Sequence, residues 1–516
     1  MSDPVLIVGA GPTGLVAAAE LLRRGVPVRV VDRVERADPH SKAIILWPRA
    51  LDVFARLGVE HRIRELALPV TAANYHSGGR RVARVVFGAL SDSRWSGPLS
   101  LPQARTEEVL RSVLHDLGGR VEYGHEFTAL REDGDRVLAT VQPLHRPDLA
   151  TSRRVPWLLG ADGGHSLVRQ ALGVPFRGAP YEYRFALVDG VWETPLVHGE
   201  SSYFMVPDGV LVVVGLPGGL YRVFGSLPPG DDGSDPEASV RHIASERCTV
   251  PLRLERPDGC GVFRVQRRLA DTFLAGHSLL MGDAAHVHSP AGGQGLNTSI
   301  QDAHEAAWRL AAVLRGQLPP GVLGEWARER RHVAAAVVAD TDRQTRLWTT
   351  TGGRRVVRDL VLRGAGRAGL LDRVLPPRLA QLDVVYPVSA PTLRRPRRHS
   401  PPVPGSRLPD RVTAGGHRLH DVLRAGRHVV LVAPPVTVDG VSPDLDGLRT
   451  TLDRYDVDVQ VLEGATAVAL RLPPGGVLVV RPDGVVALVA SREDPQLAHL
   501  LEAALPSATA SPSRRA

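Results

Sequence analysis

The residues in this chain best suited to chemistry are glycines and carboxylates. Gly9, Gly11 and Gly14 lie in GAGPTG, between the apolar run Val5 to Gly9 and a helical run that ends at Gly25. Without side chains there, backbone N–H groups of the turn around Pro12 and Thr13 approach a pyrophosphate at the positive end of a helix. Asp32 ends the next apolar run, PVRVVD, with Arg33 after it, and its carboxylate is placed to bind a ribose hydroxyl. Strand, helix, strand and terminal acid fall within about 30 residues, the length of a dinucleotide-binding βαβ unit. The pattern does not separate FAD from NAD.

Two later stretches repeat the pairing of acid and glycine. GADGGHSLVRQALG at 160–173 carries Asp162, and GDAAHVHSPAGGQGLNTSIQDA at 282–303 carries Asp283 and runs into a helix with Trp308 and Leu310. The second of these is a new glycine-rich entrance to a helix. His286 and His288 stand two apart, a spacing that needs extended backbone and further ligands to hold an ion, and no metal is expected. Cys248 and Cys260 are the only cysteines and form no CxxC, so neither a disulfide framework nor a cysteine zinc site is expected.

The elements that must position these residues alternate in type. After the βαβ unit a helix is expected through ALDVFARLG, sheet in GGRRVARVVF, a helix at 106–119, and strands in RVEYG and RVLATVQPL. From about Tyr181 to Val265 the pattern is strands and turns, an antiparallel sheet that interrupts the first domain until it resumes at HSLLMGDAA. Helical periodicity follows from Ser299 to about Leu382, then a segment rich in proline and arginine at 390–410 expected to be an extended linker. RHVVLVAPP, VDVQVLEG, GVLVVRPDGVVALVA and a closing helix then form a small α/β unit, and the last ten residues read as disordered.

The 516 residues suit two or three domains, and a hydrophobic fraction of 43% with 23% charged residues is ordinary for a globular enzyme. No run of 18 apolar residues and no signal peptide is read, so no membrane partner and a cytoplasmic location are expected. The formal charge of +8 is almost all arginine, Lys42 being the single lysine, and it is scattered, which argues against nucleic acid as a partner.

GAGPTG, GADGGHSLVRQALG and GDAAHVHSPAGGQGLNTSIQDA, in that order, resemble the three motifs of the group A flavoprotein monooxygenases, the aromatic hydroxylases of the para-hydroxybenzoate hydroxylase type. The resemblance implies an FAD cofactor and NADPH or NADH as reductant. It implies that Asp283 holds the ribityl chain, that Asp162 serves both FAD and the reductant, and that Gln103 in LPQARTEEVL touches the flavin. FAD is long, so one helix end can hold its pyrophosphate while a second, after Gly293, Gly295, Leu296 and Asn297, addresses the flavin edge where negative charge develops. Pro290 would hold rigid backbone near the reactive flavin carbon and Tyr203, in YFMVPDG, would lie where relatives place a phenol-deprotonating tyrosine, although a packed sheet tyrosine is the commoner role. Two departures stand out: His165 replaces the usual arginine before Ser166, and Lys42 stands where relatives have an arginine that touches the mobile flavin. Arg49 keeps the family spacing after Lys42.

The C-terminal unit resembles the thioredoxin-like extension of the phenol and polyketide hydroxylases. Because both cysteines precede it, packing or oligomer contact is its expected role, which leaves the flavin site independent of residues after Asp410. The fold class expected is α/β, a Rossmann-like FAD-binding domain in three parts (1–75, 98–178 and 269–389) interrupted by substrate-domain strands at 76–97 and an antiparallel sheet at 179–268. A linker at 390–409, the thioredoxin-like unit at 410–506 and a tail at 507–516 complete it.

The function implied is hydroxylation of an aromatic substrate with NAD(P)H and O2 through a flavin C4a-hydroperoxide, by a monomer or homodimer, the substrate being a polycyclic phenol or polyketide of the kind used in antibiotic biosynthesis. Baeyer–Villiger insertion on a ketone is the neighbouring alternative, and a non-catalytic flavin- or ligand-binding protein is the alternative of another class. A flavin halogenase is disfavoured, since its WxWxIP segment is missing.

Overall fold

The computed structural model describes residues 3–38, 43–88, 90, 92–207, 209–228, 230–387, 402–413, 415–434 and 446–506. Val5–Val8 is uniformly apolar because both of its faces are covered, and all four residues are buried. It lies inside a six-stranded sheet between Leu158–Gly160 and Val28–Asp32, and pairs with both in parallel. Ser278–Leu280 extends the sheet beside Leu158–Gly160, and Val121–Tyr123 beside Val28–Asp32. The strands that precede GAGPTG, GADGG and GDAA are therefore neighbours, although up to about 270 residues of sequence separate them, and their turns open at one edge of the sheet.

The interrupting sheet has eight strands, with Phe176–Glu193 and Arg253–Ala270 as a long pair beside its near edge. The hairpin Ala72–Ser77 and Arg80–Val86 joins its far edge, Ala72–Ser77 pairing in parallel with Glu200–Val206, and His286–Val287 of the third glycine stretch closes the near edge. Within the region expected to be only strands and turns, Pro236–Arg247 is a helix. Its signal was local and overlooked: Asp235 caps it by accepting from Ala238 N–H at 3.0 Å, with proline in the first turn. It packs Val240, Ile243 and Ala244 onto the sheet face that carries Val188, Leu211 and Val223.

Helices Gly295–Leu314, Gly321–Trp348, Gly352–Arg367 and Leu370–Leu379 fill the periodic stretch. Among the described residues no helix is long and apolar enough to cross a membrane. The C-terminal unit is a four-stranded sheet ordered Val457–Val461, His428–Val432, Gly476–Val480, Val486–Ser491, the first pair parallel and the others antiparallel.

This unit is not tethered at a distance, as a flexible linker would leave it. Of the segment expected to be a linker, residues 402–409 are built into the interface, while 390–401 and the tail 507–516 lie outside the described residues. Arg407 donates to Asp52 at 2.6 Å with both side chains buried, and it bridges Val485. Arg94 donates to Asp410 at 3.1 Å and Asp421 at 2.7 Å. Arg481 donates to Glu329 at 2.8 Å, and the Trp308 indole N–H to Asp483 at 3.1 Å. Truncation after Asp410 strips partners from Trp308, Arg309 and Glu329, so the first domain would lose support outside the flavin site. Removing one member of a buried pair costs about 3–5 kcal/mol, and several would go together. A chain ended at Asp410 should aggregate or lose its cooperative transition in calorimetry; full-length stability in the truncated chain would refute this.

Candidate functional site

The three glycines of the first turn have different physical duties. Gly9, at φ +104°, passes so close to the second glycine stretch that a Cβ would lie 2.3 Å from the Ala161 carbonyl oxygen. A Cβ on Gly14 would lie 1.9 Å from the Gly9 oxygen. Only Gly11, the N-cap of helix Pro12–Leu22, has nothing within 4 Å of that position. The open face of the cradle is thus at Gly11, next to a helix start whose N-cap makes no side-chain hydrogen bond. Asp32 braces the turn, accepting from Ala10 N–H at 2.6 Å and Val34 N–H at 3.0 Å. A carboxylate has about four acceptor positions, so ribose binding there is compatible with the brace. Arg33 is exposed beyond the strand.

The second and third stretches close around the first. Asp162 Oδ2 accepts from Val168 N–H at 3.1 Å, whereas its Oδ1 is buried with no hydrogen-bond partner. Burial raises its carboxyl above the ordinary value, partly offset by the Ser166 hydroxyl. Gly282, at φ +59°, sits where a Cβ would lie 2.6 Å from Thr13 Oγ1 and 3.0 Å from Ser299 Oγ, so this turn touches the first helix and the helix Gly295–Leu314 together. Asp283 is exposed between the buried Gly282 and Ala284. Asp302, fully buried, anchors the turn from behind: it accepts from Gly282 N–H at 3.1 Å, His286 Nε2 at 2.7 Å and Arg330 Nε at 2.7 Å. Burial pushes the Asp302 carboxyl up, but Arg330 and His286 outweigh it and hold it below its usual range.

Pro290 caps the tight turn Ala291–Gly293, which leads to the uncapped N-terminus of Gly295–Leu314. Gly295 and Leu296 begin that helix, and Leu296 packs against the main core. Asn297 follows and is fully buried. Its Oδ1 accepts from Trp47 N–H at 2.6 Å and its Nδ2 donates to the Ile45 and Gly293 carbonyls at 2.8 and 2.7 Å, so it ties the turn to Ile45–Trp47. Gly293, at φ +61°, abuts Ile45. His288 leans over Gly295 with Nδ1 2.9 Å from the Ser289 carbonyl and a buried, unpartnered Nε2. Burial beside His286 pushes its imidazole down to about 4, which keeps it neutral.

Gln103 is held to Ala43, accepting from its N–H at 3.3 Å, and donates to Glu107 at 2.9 Å. Lys42 lies outside the described residues. Arg49 is buried away from the turn, donating to the Gln381 carbonyl at 3.2 Å and the Tyr386 hydroxyl at 3.3 Å. Gln381 itself was missed. At φ +56° it is held in the left-handed region, and its Nε2 donates to Gln294 at 2.5 Å and to Thr298 at 2.9 Å while its Oε1 accepts from Gln301 at 2.7 Å. It clamps the first turn of the helix, and such backbone strain persists only where surroundings over-determine it. No local signal marks it.

Tyr203 stacks on Tyr75 with ring centroids 5.0 Å apart and leans on Trp348 at 5.3 Å. Burial raises its phenol above the ordinary value. This aromatic group belongs to an apolar cluster with Met205, Val212 and Ala291, so it reaches the turn after Pro290.

These residues fit an extended dinucleotide. The cradle is open at Gly11, an orphaned carboxylate oxygen of Asp162 and the exposed Asp283 lie on the adjoining turns, and a second helix start follows at Gly295. Comparison with known proteins points the same way. The FAD binding domain family matches residues 2–341, and the family described as aromatic-ring hydroxylase, C-terminal, matches residues 401–512. The chain is 36% identical over 349 residues to 6-methylpretetramide 4-monooxygenase of Streptomyces rimosus, spanning 66% of this chain and 62% of that relative. It is 31% identical over 508 residues, 96% of each chain, to the 12-dehydrotetracycline 5-monooxygenase/anhydrotetracycline 6-monooxygenase of Streptomyces rimosus subsp. rimosus. The solved structure of an anhydrotetracycline hydroxylase from Streptomyces rimosus aligns with a TM-score of 0.78 at 29% identity, over 98% of this chain and all of that one.

The unequal glycines give a sharp test. Gly14→Ala should unfold the turn, since its Cβ meets backbone, and lower the melting temperature by several degrees. Gly11→Ala, in extended backbone and open space, should melt normally yet retain less FAD, read as flavin absorbance per chain. Equal behaviour of the two variants in both measurements would overturn the division of roles.

Proposed function

The chain belongs to the FAD binding domain family, with an aromatic-ring hydroxylase C-terminal region, and on that premise we propose that it hydroxylates a polycyclic phenol or aromatic polyketide with NAD(P)H and O2. It is an FAD-dependent monooxygenase. The observation that carries the substrate reading is the aromatic wall of Tyr75, Tyr203 and Trp348, which shares one apolar cluster with Ala291 of the turn at the second helix start. Relatives named as monooxygenases of 6-methylpretetramide and anhydrotetracycline support a ring-bearing substrate.

Bound in this site, FAD supplies electron transfer from NAD(P)H and activation of O2. The chain's own residues bind, orient and exclude water. The backbone N–H groups of Gly11, Thr13 and Gly14 receive the pyrophosphate, Pro12 between them having none to give, and Asp32 a ribose hydroxyl, with Gly9 keeping the turn tight. Asp283 would hold ribityl hydroxyls, and the open oxygen of Asp162 would serve FAD and the reductant. The N–H groups at Gly295 and Leu296 stabilise negative charge at the flavin edge, and Pro290 keeps that turn rigid. Tyr203 serves as a stacking surface for the substrate ring. Dependence on NAD(P)H supports a cytoplasmic setting, and the strand order of the C-terminal unit supports a thioredoxin-like reading of it.

Asp283→Ala should weaken FAD retention about ten- to a hundred-fold, the equivalent of losing one charge-assisted hydrogen bond of roughly 1.5–3 kcal/mol, measured by fluorescence titration of the folded variant. Unchanged affinity would displace Asp283 from the site.

Flavin reduction by NADPH or NADH should be slow alone and accelerate when a fitting polycyclic phenol binds, with a product one oxygen atom heavier. Stopped-flow absorbance and mass spectrometry read both. Equally rapid reduction with and without ligand, ending in peroxide and unchanged ligand, would refute hydroxylation, and ligand binding with no NAD(P)H oxidation would mark a binding protein instead.

A further inference from the structure

A second concavity lies between the strand pair Phe176–Glu193 and Arg253–Ala270 and the long helix Gly321–Trp348. Its volume is about 440 Å3, within the range of small-molecule sites. Arg177, Arg267, Arg268, Arg343 and Arg346 line it, with Asp342 as the one acid. That acid is fully engaged: it accepts from the Tyr181 hydroxyl at 2.7 Å, Arg267 at 2.9 Å and Arg346 at 3.0 Å. Asp340 serves Arg343 at 3.2 Å together with Arg378 at 2.7 Å, and Asp271 serves Arg177 at 2.7 Å. The acids are thus shared among more guanidinium groups than they can neutralise. Arg268 has none of them, and among the described residues its buried Nε has no hydrogen-bond partner. A buried donor left unpaired is costly, and like charges gathered in one cleft repel. Leu269, Ala335, Val338 and Ala339 supply apolar wall between the arginines.

We propose that this cleft binds the oxyanion, a phosphate or a carboxylate, of a small ligand with an apolar body. Guanidinium forks match such oxyanions in bidentate fashion, and the apolar wall accepts the rest of the molecule. The cleft is separate from the glycine cradle but not isolated from it. Thr345, next to Arg346, donates to Ser289 Oγ at 2.6 Å, and Ser289 precedes Pro290. An anion held at Arg346 therefore acts on the helix that fixes the turn before Gly295.

The test titrates FAD-loaded protein with inorganic pyrophosphate and 1-naphthoate by isothermal calorimetry at low salt, and repeats it on the double variant Arg343→Ala/Arg346→Ala. These two side chains are 65% and 73% exposed, so their loss leaves the fold intact. At least one probe should bind the natural protein and bind the variant about ten-fold more weakly or worse, with FAD content unchanged. Binding of pyrophosphate identifies a phosphate as the natural group, and binding of naphthoate alone a carboxylate. No binding by any probe, or binding that the double variant leaves unchanged, overturns the site. Loss of FAD from the variant overturns its separation from the flavin cradle.

Discussion

The helix Gly295–Leu314 is buried without a break from Asn297 to Ala312, yet it carries Asn297, Gln301, Asp302, His304, Glu305 and Arg309. Charge in a low-dielectric interior is tolerated only when paired, so each element around this helix must deliver a partner at a fixed place. The first helix brings Glu20 to His304 at 2.8 Å. The long helix brings Arg330 to Asp302 at 2.7 Å and Glu329 to Arg309 at 2.6 Å. The segment Ile45–Trp47 meets Asn297, and Tyr386 meets Glu305 at 2.5 Å. Apolar area gives the core its cohesion, but these pairs decide the register in which elements dock. The same pairs hold the glycine turn ahead of the helix, because Asp302 grips Gly282 and His286 while its other oxygen takes Arg330.

What was legible in the sequence was what is local. The βαβ unit could be read because VLIV, GAGPTG and PVRVVD each carry their own structural reason within a few residues. The return of the first domain at HSLLMGDAA could be read because its apolar run and glycine turn repeat that grammar. The antiparallel sheet was legible as alternation, while its helix Pro236–Arg247 was lost among neighbouring strands although Asp235 and Pro236 mark its start. Gln381, Asp302 and the Arg407–Asp52 pair could not be read. Their meaning lies in partners between about 20 and 355 residues away, and nothing in the sequence near a buried charge names its counter-ion.

The glycine motif illustrates how one pattern conceals several causes. Read from sequence, its three glycines share one purpose, the approach of backbone to phosphate. In the folded chain Gly9 is required by the passing Ala161 carbonyl and Gly14 by the Gly9 carbonyl, which leaves Gly11 alone beside open space. Two of the three therefore shape the cradle through contacts of the chain with itself. Gly282 repeats the arrangement, its missing side chain making room for Thr13 and Ser299. The glycine stretches are thus mutually dependent: the second fits against Gly9 and the third against Thr13, so the turns that address different parts of a dinucleotide are also one another's walls.

The same reasoning explains a C-terminal unit that contains no cysteine and none of the glycine motifs. Arg309 is fully buried at the end of the central helix with Glu305 and Glu329 near it, and Asp483 lies 3.7 Å from it. Arg481 then answers Glu329 at 2.8 Å and Asp483 at 2.8 Å. Burial pushes the Asp483 carboxyl up, but Arg481 and Arg309 outweigh it and hold the group well below its ordinary range, so it stays ionised inside the interface. Without the turn from Arg481 to Val485, Arg309 would lose one of its counter-ions and the indole of Trp308 its acceptor. The described residues of the unit close a charge network that begins at the glycine turn: Gly282 to Asp302, Asp302 to Arg330, Arg330 to Glu305 and Tyr386, and onward through Arg309 and Glu329 to Arg481. A domain that looks dispensable by its chemistry is bound to the site by its electrostatics.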